Sequence, residues 1–236
     1  MEIGIIGAGC IGGTLARKFA AAGHRVRVAN SKAPSSLTDF EGEAGIVPMW
    51  AADAVRGVDV AILSVPQKAI SKLPGQVLSV LSSVPIVIDT GNYYPVRDGR
   101  IDGIEEGMAD SEWVAAHLGR PVFKVFNNIV APSLKHKGRT GAGQRLGLTV
   151  AGPATEDKQK VFTLVSQIGF DPVDGGGLEQ SWRLQAGTPT YCKDMTADQL
   201  LAGLAETTRE DIGKYHEIRD QLQDFDGAME KMREYM

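Results

Sequence analysis

The segment GIIGAGCIGGTLARKFAAAGH, residues 4–24, sets Gly7, Gly9 and Gly12 directly behind a short apolar run. Glycines at this spacing have separate jobs between a strand and a helix. Gly7 permits the tight turn, Gly9 lets the backbone approach a pyrophosphate, and Gly12 lets the helix pack close to the strand. The helix that opens there directs free N–H groups and a positive dipole end at the same point, which favours an anion. The spacing alone also occurs in glycine-rich turns that hold nothing. The strand–loop–helix–strand setting is what points to a dinucleotide phosphate.

The end of the second strand selects the nucleotide. A carboxylate there would bond a ribose 2′-hydroxyl and repel a 2′-phosphate. The chain has Asn30, Ser31 and Lys32 instead: a neutral amide, a hydroxyl donor and a cation. These suit a doubly charged phosphate, so the expected cofactor is NADP(H); the bland alternative for Lys32 is a solvated surface lysine. Three further strand ends read SVPQ at 64–67, DTGN at 89–92 and FNN at 126–128. Small residues leave room for a nicotinamide ring and amides can bond its carboxamide and ribose, although Asn and Gly are also ordinary turn residues. No Ser–Tyr–Lys grouping or motif histidine stands out, so no catalytic residue is assigned. The four histidines are scattered and the two cysteines, Cys10 and Cys192, lie far apart, so no metal site is expected.

The elements that must position these residues alternate. Strands are expected over 2–6, 25–29, 46–50, 58–65, 85–89 and 121–126, with Pro48 assigning the third to a sheet edge. Helices are expected over 16–22, over 67–81 with an interruption at Pro74, and over 111–118. This predicts an α/β, Rossmann-type, doubly wound parallel sheet. Residues 1–145 are expected to form the NADP-binding Rossmann domain. Residues 146–236 would form a small C-terminal α/β lobe and a long terminal helix, with a basic, glycine-rich loop over 135–144 between them. The terminal helix should start with a capping box at Thr196 and Gln199. Its apolar stripe, from Leu201 through Met236, steps by three and four with polar breaks at Thr208 and Asp211. That repeat suits either a helix lying on its own domain or the seam of a homodimer.

Composition narrows the partners. The 236 residues are 43% hydrophobic and 23% charged, with a net charge of -4, which gives no global attraction to nucleic acid or anionic lipid. No apolar run approaches the length of a membrane span, and no charged lead or cleavable apolar segment is evident at the N-terminus. With two distant cysteines this leads to the expectation of a cytoplasmic protein acting on a small-molecule redox acceptor.

The motifs IGIIGAGCIGGTLA, VANSK, ILSVP, VIDTGN, VFKVFNN and GFDPVDGGGLEQSW, in that order, resemble NADPH-dependent oxidoreductases of the coenzyme F-420 type. The resemblance implies a flat acceptor ring stacked on the nicotinamide in a cleft between a compact domain and a small lobe. It implies that Gly7, Gly9, Ile11 and Gly12 hold pyrophosphate and that Ser31 and Lys32, next to Asn30, hold the 2′-phosphate. It places Val65, Pro66, Thr90 and Asn92 along the nicotinamide riboside, and Asn127, Asn128 and Trp182 near the acceptor. Trp182 reads equally well as a core residue of the small lobe. The implied activity is hydride transfer between NADP(H) and a flat ring: a deazaflavin, a flavin-like molecule or a quinone. Such a reaction asks of the protein chiefly stacking, orientation and exclusion of water. Two alternatives remain open. One is an imine or pyrroline-type reductase, for which the sequence offers no evident proton donor. The other is an NADP(H)-sensing module without turnover.

Overall fold

The computed structural model describes every residue except 140, 142, 235 and 236. Six parallel strands form the main sheet: β1 (Glu2–Ile6), β2 (Arg25–Ala29), β3 (Ile46–Pro48), β4 (Val60–Leu63), β5 (Ile86–Asp89) and β6 (Phe123–Lys124). Their order is β3-β2-β1-β4-β5-β6, the doubly wound Rossmann arrangement, in which the order reverses between β1 and β4. The reversal opens a crevice at the carboxyl ends of those two strands, where such sheets bind ligands.

The strand sequences follow from what covers them. In β1, β4 and β5 successive side chains enter opposite layers. Ile3, Ile5, Val60, Ile62, Ile86 and Ile88 join one apolar cluster, while Ile6, Ala61, Leu63 and Val87 join the other. Both faces are packed, so these strands carry no polar alternation. In β2, Val26 and Val28 are buried, whereas Arg25 is exposed and Arg27 reaches Glu2 at 3.2 Å. Pro48 lies on the edge strand β3, where a missing N–H costs nothing. Helix α1 (Cys10–Ala21) starts at the glycine loop itself, earlier than apolar spacing indicates. Pro74 divides the expected 67–81 helix into Gln67–Ile70 and Gly75–Leu81, and the sixth strand contracts to two residues.

Beyond the sheet, β7 (Gly147–Val150) and β8 (Asp171–Asp174) pair in parallel around the helix Glu156–Gln167. An antiparallel bridge between Lys124 and Ala151 attaches this unit to β6. Leu148, Val161, Leu164 and Phe170 belong to the same apolar cluster as Ile3 and Val26, and His24 meets Gln167 across the junction at 2.8 Å.

The long terminal helix does not form. The chain divides into helices Ala197–Glu206, Ile212–Asp220 and Phe225–Arg233, with a short 3-10 turn at Arg209–Asp211. The capping box of Thr196 and Gln199 is present. The breaks come from local polar competition. Thr207 Oγ1 donates to the Gly203 carbonyl at 2.7 Å and Thr208 Oγ1 to Asp211 at 2.9 Å. Asp224 then accepts the Gly227 N–H at 2.8 Å. The apolar stripe is accordingly not one face: Leu204 and Tyr215 are buried while Leu201 and Ile218 are exposed; its last member, Met236, lies outside the described residues. The expected basic loop gives Lys135 and His136 to the helix Ala131–His136, and positions 140 and 142 lie outside the described residues.

Because one apolar cluster runs from β1 to Phe170, Phe170→Ala is expected to cost about 3–5 kcal/mol. Urea unfolding should show one cooperative transition rather than separate losses of the two sheets.

Candidate functional site

The glycine loop is held by backbone contacts. Gly7 has φ +111°, and its N–H donates to the Ala29 carbonyl at 2.8 Å. A Cβ there would strike the Ser64 carbonyl, and one at Gly12 would strike the Gly7 carbonyl. These two glycines therefore pack the loop against the end of β4. Gly9 differs: a Cβ there would meet nothing within 4 Å, so its backbone faces open space. Gly9 is also the N-cap of α1, and no side chain caps that end and no acidic residue occupies its first turn. The first-turn N–H groups are left available to an anion.

A cavity of about 330 Å³ opens beside this loop at the carboxyl ends of the strands. Gly9, Ile11, Val65, Pro66, Thr90, Asn92 and Asn127 all line it, so the structure brings together half of the positions the sequence singled out. Asn30, Ser31 and Lys32 lie off the end of β2, outside the lining. Asn30 Oδ1 accepts the Lys32 N–H at 2.8 Å and its Nδ2 donates to Ser36 at 3.0 Å, which shapes the turn. Ser31 and Lys32 are exposed.

Two sequence-selected residues are elsewhere. Asn128 is buried, with Nδ2 3.5 Å from Thr149 Oγ1. Trp182 is buried against Ala109 and Tyr215, with the Arg209 guanidinium 4.9 Å from its ring centre. It is buried outside the cavity lining, packed in part on the 1–145 segment through Ala109.

The far wall was not legible locally. It consists of Tyr94, Arg97, Tyr191, Cys192, Phe225 and Met229. Tyr94 alone had a near signal, two residues beyond Asn92; the last four return from distant sequence. Tyr94 and Phe225 pack ring to ring at 5.2 Å. Arg97 lies 4.7 Å from the Phe225 ring centre and forms a two-point pair with Asp98 at 2.7 and 3.1 Å. Tyr94 and Tyr191 hydroxyls are 2.6 Å apart. Burial pushes the Tyr94 phenol up to about 12, against the pull of the Tyr191 hydrogen bond, and pushes Tyr191 well above its ordinary value. Burial likewise pushes the Cys192 thiol up to about 11. Phe126 and Cys192 both hold positive φ, +65° and +53°, a strained conformation that costs of order 1–3 kcal/mol each.

A buried polar network supports the floor. Asp89 accepts from Ser111 at 2.6 Å, from the Gly91 N–H at 2.8 Å and from Lys124 at 3.2 Å, and Lys124 also donates to the Gly91 carbonyl. This fixes the 90–92 turn. Asn92 and Asn127 then exchange hydrogen bonds at 3.0 and 3.1 Å, and Asn127 Nδ2 donates to Leu184 at 2.7 Å. With both amide hydrogens used, Asn127 Oδ1 is buried and has no partner among the described residues. A ligand N–H would satisfy it.

A crystal structure of a hypothetical protein from Sinorhizobium meliloti is 32% identical, with a TM-score of 0.71, covering 83% of this chain and 95% of that one. The chain belongs to the same family as that protein. Residues 2–93, less than half of the chain, match the family described as NADP oxidoreductase, coenzyme F420-dependent, so this segment of the Rossmann fold is related to that superfamily. A 61-residue stretch is 44% identical to protein YjhV of Escherichia coli, spanning 26% of this chain and less than half, 44%, of that relative. A Plasmodium falciparum pyrroline carboxylate reductase solved with NADP bound shares the fold at 14% identity and TM-score 0.55, covering 99% of this chain and 79% of that one. No described helix is long and apolar enough to cross a membrane.

Asp110, next to this site, gives a pH test. Its carboxylate accepts from the Tyr93 N–H at 3.0 Å and from Gln185 at 2.8 Å. Desolvation pushes its pKa above the ordinary carboxylate range, while Lys124 and the Tyr93 N–H pull the other way. A carboxyl raised on folding binds its proton better in the folded state, so the stability it contributes at low pH is lost as pH rises through the folded value. Asp110→Asn can be accommodated by turning the Gln185 amide, whose Oε1 has no partner. Urea melts between about pH 4 and pH 7 should show the wild type losing stability relative to this variant as pH rises.

Proposed function

We propose that the protein is an NADP(H)-dependent oxidoreductase that passes hydride between the nicotinamide and a flat acceptor held against it. The observation that carries this is the single cavity running from the open glycine loop and uncapped helix end to an aromatic far wall. The residues fit the cofactor. Gly9 and Ile11, with the first turn of α1, would hold the pyrophosphate, with Gly7 and Gly12 shaping the loop. Val65, Pro66, Thr90 and Asn92 would border the nicotinamide riboside, with Asn127 Oδ1 as the acceptor for the carboxamide N–H. Ser31 and Lys32, presented by the Asn30 turn, would hold the 2′-phosphate. When bound, the reduced nicotinamide supplies hydride; the chain orients the two rings and excludes water.

The resemblance to F-420-type reductases and the ring pair of Tyr94 and Phe225 support a planar acceptor such as a deazaflavin, a flavin-like molecule or a quinone. In this reading the 1–145 segment is the cofactor domain and the remainder completes the acceptor side. A second reading, reduction of a carbonyl or other polar double bond, gains from one observation. The paired hydroxyls of Tyr94 and Tyr191, 2.6 Å apart, would supply a proton donor that local sequence did not reveal.

Incubating the protein with NADPH and, separately, riboflavin, a deazaflavin, naphthoquinone and pyrroline, while following nicotinamide absorbance, tests the reading. NADPH oxidation by a ring acceptor is the expected result, whereas tight NADPH binding with no oxidation would favour a sensor. Lys32→Glu should weaken NADPH binding about 10- to 100-fold, the worth of a charge-assisted contact, with little change for NADH. Equal losses for both would remove Lys32 from the 2′-phosphate site.

A further inference from the structure

The far wall of the cavity is mostly apolar, yet Tyr94 and Tyr191, 97 residues apart, bring two hydroxyls to 2.6 Å there. Two hydroxyls that close share one hydrogen in their mutual bond, so the pair keeps a second hydrogen for another acceptor. Neither ring is loosely placed. Tyr94 is packed on Phe225 at 5.2 Å, with the Arg97 guanidinium 5.7 Å from its own ring centre. Tyr191 immediately precedes Cys192, whose φ of +53° is strained and whose N–H is held by the Asn128 carbonyl at 3.1 Å. Strain retained next to a cavity-lining tyrosine argues for a placement with a use beyond packing.

We propose that the Tyr94–Tyr191 hydroxyl pair is the proton donor of this site and that the acceptor is a planar carbonyl compound, a ring ketone or quinone. This rests on the hydride-transfer reading and narrows it. The carbonyl carbon receives hydride from the reduced cofactor, the C=O π pair moves to oxygen, and that oxygen takes the proton of one tyrosine hydroxyl. The phenolate left behind accepts a hydrogen bond from its partner hydroxyl and regains a proton from water. The carbonyl is reduced to an alcohol and the nicotinamide is oxidised. The chemistry of the pair selects carbonyl over imine. An imine must be protonated before hydride arrives, which needs a stronger acid than a desolvated phenol. A carbonyl oxygen becomes strongly basic only as hydride arrives, and a phenol that stays protonated at neutral pH then suffices.

The test uses Tyr94→Phe and Tyr191→Phe, which keep both rings. Calorimetry of fluorenone and naphthoquinone binding to protein saturated with oxidised NADP, where no turnover occurs, should show about 3- to 10-fold weaker binding in each variant. With NADPH, reduction of these two probes should fall about 100-fold or more in the variant that loses the donor, while NADPH affinity stays unchanged. Pyrroline and riboflavin serve as controls. Undiminished carbonyl reduction in both variants, or wild-type turnover confined to pyrroline or riboflavin, would overturn the assignment. A fall in NADPH affinity that matches the fall in rate would do the same, because the pair would then be shaping the cofactor site. If the wild type oxidises NADPH with none of the probes, the hydride-transfer reading itself fails, and the proton-donor role with it.

Discussion

Asp89 and Lys124 form an ion pair with essentially no access to water. Removing two charges from solvent is costly, and the cost is tolerable only when further hydrogen bonds support the pair. Here Ser111 and the Gly91 N–H complete the carboxylate, and the ammonium donates two of its three hydrogens, to Asp89 and to the Gly91 carbonyl. The consequence is geometric. The pair ties the end of β5 to β6 and to the helix Asp110–Leu118, and fixes the turn that presents Thr90 and Asn92. From Asn92 the order passes to Asn127 and on to Leu184, so the cavity floor inherits its shape from a contact buried beneath it.

Much of the framework was legible because the signals were local. Strands buried on both faces read as unbroken apolar runs, Pro48 marked an edge, and the glycine spacing marked a strand-to-helix turn. The strand-end residues Val65, Thr90, Asn92 and Asn127 were legible for a topological reason: parallel strands deliver their carboxyl ends to one side. The terminal stripe misled because a 3.5-residue repeat carries no information about continuity. Thr207, Thr208 and Asp224 each offer the backbone a local partner, and those bonds end the helices.

What stayed hidden depends on chain return. Tyr191, Cys192, Phe225 and Met229 reach the cavity through folds of the tail that no short-range pattern encodes. Trp182 shows the converse. It has the residue type suited to a pocket wall, yet Ala109 and Tyr215 enclose it away from the cavity. Lys124 was hidden for another reason: a lysine in a strand pattern reads as surface, and only the partners supplied by Asp89 and Gly91 make its burial possible.

The cavity is thus built from two stretches of chain with different constraints. The loop side comes from residues near the N-terminus, where glycines and strand ends leave few substitutions that fold. The opposing side is hung largely on short helices and turns after residue 190, whose side chains rest on Tyr94 and Arg97. Mutational drift can therefore remodel one side while the other is held still, and a lineage carrying this architecture can change what it transforms without rebuilding what it grips.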